Sequence, residues 1–273
     1  MRLVASLLLL AAQAGQPAGT TPVGLPLTGA EAERFLATAE VVDLEKYESK
    51  GITHPRRATL RDGERTLRAV FKDIDVTHVR EQTGTGDWML RLKDSYKHEI
   101  AAYQLDRLLG LGLVPPCVER RISRHVGALC LWVEGATTEY QRAIIDKVLP
   151  PDVSAYNDQL HDVRLFMQLT WDADYTNGSN ILVDANWKVY KVDSTRAFRE
   201  SPTLRNEDSL TRFRRHTLGA LESLTRESLD AALGPWLDKR QLEGLWARRC
   251  RVLELARERV ASRGDAAVLY DDP

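Results

Sequence analysis

The sequence is poor in the residues that build disulfide scaffolds and metal clusters. It has 3 cysteines among 273 residues and no Cys-x-x-Cys pair, so cysteine usage indicates neither a structural zinc site nor a redox motif. Its 6 histidines are scattered without the spacing of metal ligands. Cys117 and Cys130 fall in two neighbouring predicted strands. They either form a single bridge or remain small buried side chains, and the sequence leaves both interpretations open.

An excess of charge of one sign is also missing. The chain has 38 Lys and Arg against 39 Asp and Glu, a net charge of −1. This balance gives no reason to expect a nucleic acid or a membrane surface as partner. Apolar residues make up 43% of the chain, which suffices for a hydrophobic core. We therefore expect a globular protein with one two-lobed domain or two small ones.

The N-terminal apolar run is too short to span a membrane. Residues 3–12 are apolar, follow Met1 and Arg2, and lead into Ala12-Gln13-Ala14, which is the pattern of a signal peptide with its cleavage site. A transmembrane helix needs about 20 apolar residues. We predict a signal peptide over 1–14, export to the periplasm or the extracellular space, and no transmembrane anchor after cleavage. An uncleaved anchor is the alternative.

The first half of the chain reads as strands around one helix. Residues 15–27 are rich in Gly, Pro and Thr and predict a linker. Thr28 and Glu31 predict a capping box at the start of a short helix. Strand patterns follow over 41–75, with a hairpin turn at 61–63. A helical pattern covers 95–109 and ends at Gly110, and two more strands flank a turn at 124–127.

The second half is mainly helical. A helix is predicted over 161–170, followed by a polar loop and two short strands joined at Ala185 and Asn186. Asp238 and Gln241 predict a capping box for a last helix that ends before Gly264. We predict an α+β protein with a β-rich N-terminal lobe over 28–135, a helical C-terminal lobe over 136–263 and a tail over 264–273.

Five polar residues stand in an order with chemical meaning. Lys72 ends a strand, Glu99 lies in the first long helix, Asp174 and Asn180 lie in the polar loop, and Asp193 follows the next strand. Carboxylate and amide oxygens at strand ends are typical ligands of a hard cation such as Mg²⁺. This order of parts resembles that of protein-kinase-like phosphotransferases.

The residues in three stretches of the sequence indicate which branch of the kinases the chain resembles. The stretches EIAAYQLDRLLGLGLVPP, WVEG and VDSTRAF look like the atypical branch of kinases, which includes the HipA-type kinases, the phosphoinositide kinases and the four-jointed secretory kinases. The similarity spans roughly residues 48–260. It implies a two-lobed kinase-like fold, ATP as co-substrate, Mg²⁺ or Mn²⁺ as cofactor, and a hydroxyl acceptor on a protein, lipid or sugar.

The resemblance also implies a role for each of the five residues. Lys72 would place its ammonium on the nucleotide phosphates, and Glu99 would hold it there through an ion pair. Asp193 and Asn180 would bind the metal ion. Asp174 would accept or orient the hydrogen of the acceptor hydroxyl.

Two further positions complete the expected nucleotide site. Gly51, between two predicted strands, lies where the turn that covers the phosphates should be. Trp132 lies on the strand that joins the lobes, where the adenine would meet neighbouring backbone.

The polar loop departs from the usual kinase pattern. Asp174 and Asn180 are six positions apart, whereas the motif H-R-D-x-x-x-x-N separates its Asp and Asn by five, and no His or Arg precedes Asp174. Asp172 is therefore the alternative catalytic acid, since Asp172 and Asn177 have the usual separation. Asn180 leads directly into a strand and Asn177 does not, which favours Asp174 with Asn180.

Other interpretations of this loop explain less. An EF-hand starting at Asp172 would require Gly at the position of Asn177 and Glu at that of Val183. A metal-binding D-x-D of a nucleotide-sugar transferase leaves Lys72 and Asp193 unexplained. The acids could also simply cap strands and turns. The leading hypothesis is an exported atypical kinase, and the alternative is a catalytically silent kinase-like binding module.

Overall fold

The N-terminal lobe is built around an antiparallel sheet. A computed structural model of the chain describes residues 23–46, 55–82, 86 and 88–271. In chain order the elements of this lobe are α1 (Gly29–Thr38), β1 (Glu40–Lys46), β2 (Arg56–Asp62), β3 (Arg65–Lys72), β4 (Asp75–Gln82), β5 (Trp88–Ser95), α2 (Tyr96–Leu109), β6 (Cys117–Ile122) and β7 (His125–Leu131). Five of the strands form one sheet in the order β1-β2-β3-β7-β6.

Alternating burial explains the central strands. Ala58 and Leu60 of β2 and Ala69 and Phe71 of β3 are buried, and the residues between them are more exposed. Successive side chains of a strand point to opposite faces, so these four cover one face of the sheet. They pack against α1 through a cluster that includes Leu36. The sheet therefore sets the direction of β3, whose last residue is Lys72.

Strands β4 and β5 form a separate hairpin between β3 and α2. The sequence shows no strand pattern over 76–82, because β4 is mostly exposed and lacks apolar alternation. The hairpin is held by its contact with the other lobe: Met89 and Leu92 of β5 pack against Ala173 and Trp171. It therefore lies directly against the polar loop.

Helix α2 starts and stops where its sequence predicts. Ser95 is the N-cap and accepts a hydrogen bond from the backbone of Lys97. Gly110 follows the last turn with φ of 65°, a left-handed conformation that glycine adopts without a steric penalty. Helix α1 also forms as expected, but the side chain of Thr28 makes no capping bond. The predicted capping box at Thr28 is therefore wrong, although the helix is there.

The C-terminal lobe is mainly helical. Its elements are β8 (Thr137–Thr138), a π-helical turn (Gln141–Ile145), α3 (Val153–Thr170), a 3₁₀ turn (Gly178–Asn180), β9 (Ile181–Val183), β10 (Val189–Lys191), a 3₁₀ turn (Glu207–Ser209), β11 (Phe213–Arg214), α4 (Arg215–Ser223), α5 (Arg226–Leu233), α6 (Lys239–Arg263), α7 (Asp265–Val268) and β12 (Leu269–Tyr270). Helix α3 starts eight residues before the predicted His161, because Asp152 caps it through the backbone of Ala155. The predicted capping box of α6 is present.

Both ends of the described chain are more structured than their composition predicts. Gly24 and Glu134 exchange two backbone hydrogen bonds, and Leu27 is buried, so the end of the predicted linker packs on the fold. The predicted tail from 264 contains α7 and β12. β12 pairs in parallel with β11, and the Tyr270 hydroxyl donates to Asp162. Within the described residues no helix has the length and apolarity needed to cross a bilayer.

The two neighbouring cysteines form a disulfide. Cys117 and Cys130 are directly opposite each other in the antiparallel pair β6–β7 and are bonded. The sequence left this pairing open, and the strand register decides it. Cys250, on α6, is free and exposed.

Candidate active site

Three charged side chains from distant parts of the chain meet at the boundary of the two lobes. Nζ of Lys72 lies 2.5 Å from Oε1 of Glu99 and 2.8 Å from Oδ1 of Asp193. Lys72 and Asp193 are 121 positions apart in the sequence. Lys72 and Glu99 are nearly inaccessible, whereas Asp193 keeps 39% of its side chain exposed. The sequence-predicted cation and two of the predicted acids are therefore in direct contact.

The two acids determine the charge state of Lys72. Burial by itself would lower the pKa of Lys72, but the negative charges of Asp193 and Glu99 and their hydrogen bonds raise it above its ordinary value. Burial raises the pKa of Asp193, yet Lys72 lowers it below the usual range, with help from Lys191 and Arg196. The site thus holds a charged ammonium between carboxylates.

The polar loop is folded around Asp172. Oδ1 of Asp172 accepts a hydrogen bond of 2.9 Å from the backbone N–H of Asp174. Its Oδ2 lies 2.9 Å from Nζ of Lys191, and both side chains are 1% exposed. Arg205 donates to the main-chain carbonyls of Asp172 and Ala173. Asp172 is therefore a buried structural acid, and it leaves Asp174 as the more accessible of the two.

Asp174 is an acid with a perturbed affinity for protons. Burial raises its pKa above the ordinary value, and the nearby negative charges of Asp172 and Asp193 act in the same direction. Arg196 and Lys191 partly oppose this shift. A carboxyl group with a raised pKa beside a charged cluster is a frequent feature of sites that move protons.

The additional residue of the loop is accommodated by a short turn. Asn177 caps the 3₁₀ turn Gly178–Asn180 by accepting from the backbone of Ser179. The turn brings Asn180 next to the strand before Asp193, where its carbonyl accepts 2.9 Å from the N–H of Val192. Asn180 is buried and Asn177 is exposed. The six-residue spacing thus still delivers an amide beside Asp193.

These side chains suit a hard cation bound together with a nucleotide. Within the described ranges, no three His, Cys, Asp or Glu side chains form a complete metal-binding group. Mg²⁺ in nucleotide sites takes one or two carboxylates and completes its shell with phosphate and water oxygens. Asp193 supplies a partly exposed carboxylate. Oδ1 of Asn180, the atom of the amide that could bind a cation, accepts a long hydrogen bond of 3.3 Å from Nδ2 of Asn177, and a bound cation would compete with this bond.

Of the two remaining predicted positions, Trp132 and Gly51, the structure describes only Trp132. Trp132 follows β7, and its backbone N–H donates 3.0 Å to the carbonyl of Arg68. The Arg68 guanidinium lies 5.1 Å from the centre of the Trp132 ring and also pairs with Glu134. This segment lies between β7 and β8. Gly51 lies outside the described residues.

Several residues that organise the site were missed in the sequence. Nε of Arg196 donates 2.9 Å to the fully buried Asp94, which ties the segment after Asp193 to the β4–β5 hairpin. Arg199 donates to the carbonyls of Leu90 and Arg91 in the same hairpin. Lys191 contacts the carboxylate of Asp172 and the carbonyl oxygen of Asp193. Only the charged residues inside an apolar strand pattern, such as Lys191 in "KVYKVD", could have been noticed from the sequence.

A separate cavity lies elsewhere on the surface. It has a volume of about 650 Å³ and is lined by the N-terminal segment, the end of α2 and the β9–β10 turn. Lys72, Glu99, Asp174 and Asp193 are not among its lining residues. This cavity is therefore not the candidate active site.

Comparisons of the whole chain identify its fold. No family model and no curated protein matches the sequence. Among solved structures, hydra Fam20 with sugar is similar at a TM-score of 0.65 with 19% identity, over 88% of this chain and 91% of that one. The Golgi casein kinase is similar at 0.56 with 14% identity, over 89% and 79%. The Helicobacter pylori proinflammatory kinase CtkA reaches 0.50 with 10% identity, over 83% and 97%. The chain therefore has an atypical protein-kinase-like fold, with a β-rich N-terminal lobe and a helical C-terminal lobe.

Proposed function

We propose that this protein is an exported ATP-dependent phosphotransferase that moves the γ-phosphoryl group of ATP to a hydroxyl group. The observation that carries the proposal is the direct contact of Lys72 with Glu99 and Asp193. A strand lysine, a helix glutamate and a metal-binding aspartate that converge in this way form the nucleotide site of kinases. Structural similarity to the Golgi casein kinase and the kinase CtkA supports the same reaction class.

Each residue has a role that its surroundings allow. Lys72 carries a positive charge for the nucleotide phosphates, and Glu99 orients it from α2. Asp193 and Asn180 would hold Mg²⁺ or Mn²⁺, which when bound neutralises charge on the phosphate oxygens. Asp174 would orient the acceptor hydroxyl and take its hydrogen, a role that its raised pKa supports. The ion pair of Asp172 with Lys191 argues against Asp172 in that role.

The remaining parts of the proposal follow from the sequence. The signal peptide over 1–14 would direct export, and the chain would fold into lobes over 28–135 and 136–263. Gly51 would cover the phosphates, and the main chain beside Trp132 would meet the adenine. Two acceptor classes are worth testing first, because the similar structures are a Fam20 with sugar and a casein kinase. They are a sugar hydroxyl and a hydroxyl group of a protein such as casein.

ATP turnover and phosphoryl transfer by active-site variants test the proposal. Asp174→Asn and Asp193→Ala should each lose most of the activity of the wild type, since interactions with transition-state charge commonly contribute several kcal/mol. Asp208→Asn is a matched control, because Asp208 is fully exposed. Equal Mg²⁺-dependent turnover in all four proteins would rule out the assignment.

A catalytically silent nucleotide-binding module is the second candidate. Its support is the lengthened loop, in which Asp174 and Asn180 are six positions apart and no His or Arg precedes Asp174. Thermal unfolding with MgATP separates the two candidates. Stabilisation of about 2.7 kcal/mol at 100 times the dissociation constant, without transfer to water, sugar, lipid or protein, would favour the silent module.

A further inference from the structure

The buried pair Lys191–Asp172 links the two halves of the candidate active site. Nζ of Lys191 lies close to three oxygen atoms: Oδ2 of Asp172 at 2.9 Å, the carbonyl oxygen of Val192 at 2.7 Å and that of Asp193 at 3.1 Å. Nζ donates hydrogen bonds to the two carbonyl oxygens, and its contact with Oδ2 of Asp172, which has no hydrogen-bond partner, is an ion pair. The other carboxylate oxygen of Asp172, Oδ1, accepts a hydrogen bond from the backbone N–H of Asp174. One chain of contacts thus runs from the main chain of Asp193 to that of Asp174.

The main chain at Asp193 needs such support. Its φ is 59°, a left-handed conformation that non-glycine residues adopt rarely. Backbone in such regions persists only where surrounding contacts hold it, and it concentrates at functional sites. The Lys191 ammonium binds the carbonyl of Asp193 itself, so it contributes to fixing the direction of this residue. The predicted metal-binding carboxylate depends on that direction.

The residue in the place of the motif's histidine is an acid. Asp172 is two residues before Asp174, where the usual kinase motif has its histidine. The carboxylate of Asp172 cannot form a hydrogen bond with the carbonyl oxygen of Asp193, because both groups only accept hydrogen bonds. Lys191 supplies the positive charge and the donors between them. The departure in the loop is therefore matched by a lysine on β10.

We propose that Lys191 and Asp172 are positioning residues that hold the carboxylates of Asp174 and Asp193 in their reactive arrangement. The proposal rests on the proposed phosphotransferase function. Neither side chain is accessible to substrate, since each is 1% exposed. They act through the main chain of the two acids. A purely structural pair could be replaced by neutral residues without loss of activity, since buried ion pairs are often dispensable for stability.

The test uses the neutral double variant Lys191→Met with Asp172→Asn, because either single change leaves an unpaired buried charge and could prevent folding. The amide oxygen of the introduced asparagine can still accept from the N–H of Asp174, so the variant removes chiefly the lysine link. The matched control is Arg214→Met with Asp162→Asn, which removes another buried ion pair, of 2.7 Å, in the same lobe. Melting temperature, kcat and the KM for MgATP are measured for the wild type and both variants.

We expect the two double variants to fold, and the Lys191–Asp172 variant alone to lose about 10²-fold in kcat with a much smaller change in KM, since small misplacements of reacting groups cost this much. Unchanged kcat in that variant would overturn the proposal, as would an equal loss in the control. A wild type without turnover would refute the proposed function instead. In that case crystal structures decide: unchanged Asp174 and Asp193 carboxylate positions in the double variant would refute the positioning role.

Discussion

The buried histidine beside Glu99 predicts a pH dependence of stability. Nδ1 of His98 lies 2.7 Å from the carbonyl of Thr195, which can only accept, so Nδ1 carries the hydrogen. Nε2 then accepts from the side-chain amide of Gln241 at 3.0 Å. Burial lowers the pKa of His98 to about 4, although the bond to Thr195 opposes this shift. The native state therefore requires neutral His98, whereas the unfolded state protonates it near pH 6.5.

The sign and size of the effect follow from linkage. Between the two pKa values the unfolded chain binds more protons, so the contribution of His98 is fully present above about pH 6.5 and is lost as the pH falls towards 4. The difference between the unfolded and the native pKa corresponds to about 3 kcal/mol, of which about 2 kcal/mol is lost between pH 7 and pH 4.5.

Asp106 acts in the opposite direction and could hide this effect. Burial raises the pKa of Asp106 to about 6, despite its hydrogen bonds from backbone N–H groups such as that of Leu113. Its carboxyl group is protonated earlier in the native than in the unfolded state, so it adds stability as the pH falls below 6. The magnitude is similar, about 2 kcal/mol over the same interval. The two contributions therefore nearly cancel in the wild type, and its stability alone does not reveal the effect of His98.

The assay is urea unfolding at pH 7 and at pH 4.5 of the wild type, His98→Gln and Asp106→Asn. Glutamine can donate to Thr195 and accept from Gln241 without titrating. We expect His98→Gln to gain about 2 kcal/mol relative to the wild type on acidification, and Asp106→Asn to lose about as much. Parallel pH dependence in all three proteins would refute the assignment of a neutral buried His98.

Three further predictions concern the frame of the site. In Gly127→Ala the new Cβ would collide with the carbonyl oxygen of Lys72, so we expect a loss of more than about 2 kcal/mol of stability and lower activity. The control Gly219→Ala lies in a helix with open space around the new Cβ and should gain up to about 1 kcal/mol. Equal stability of the two variants would contradict the packing at Gly127. Reduction of Cys117–Cys130, 13 residues apart, should cost about 3 kcal/mol, and urea midpoints with and without reductant that coincide would exclude the bridge. Arg248→Met should cost about 3 kcal/mol in urea unfolding, because it leaves buried carbonyl groups, among them that of Leu169, without their donor; a loss below about 1 kcal/mol would contradict this role.

Local patterns predicted the parts of the molecule whose structure depends on neighbours in sequence. Helix α2 was recognisable from its apolar face and from Gly110, which ends it. The hairpin β2–β3 was recognisable from its turn. The β4–β5 hairpin was not, because its buried side chains Met89 and Leu92 pack on Trp171 in the other lobe rather than on a sheet of their own. Its stabilising partners lie too far along the chain for any local pattern to indicate them.

The candidate site divides in the same way. Lys72, Glu99, Asp193 and Asn180 could be selected because their order in the chain resembles a known arrangement. The sequence favoured Asp174 over Asp172 only through the position of Asn180 before a strand, since both are acids in the same polar loop. The burial of Asp172 against Lys191 separates them, and it depends on how β10 passes under the loop.

By itself, the sequence determined the division into a β-rich first half and a helical second half, the balanced charge and the set of polar residues whose order resembles that of kinase-like proteins. Only the tertiary structure decided that Lys72 contacts Asp193, that Cys117 faces Cys130 and that Lys191 reaches the carbonyl of Asp193. The physical reason is range. Backbone propensities and apolar periodicity act over a few residues, whereas ion pairs, disulfides and burial depend on distances in space, which are set when the sheet and helices pack.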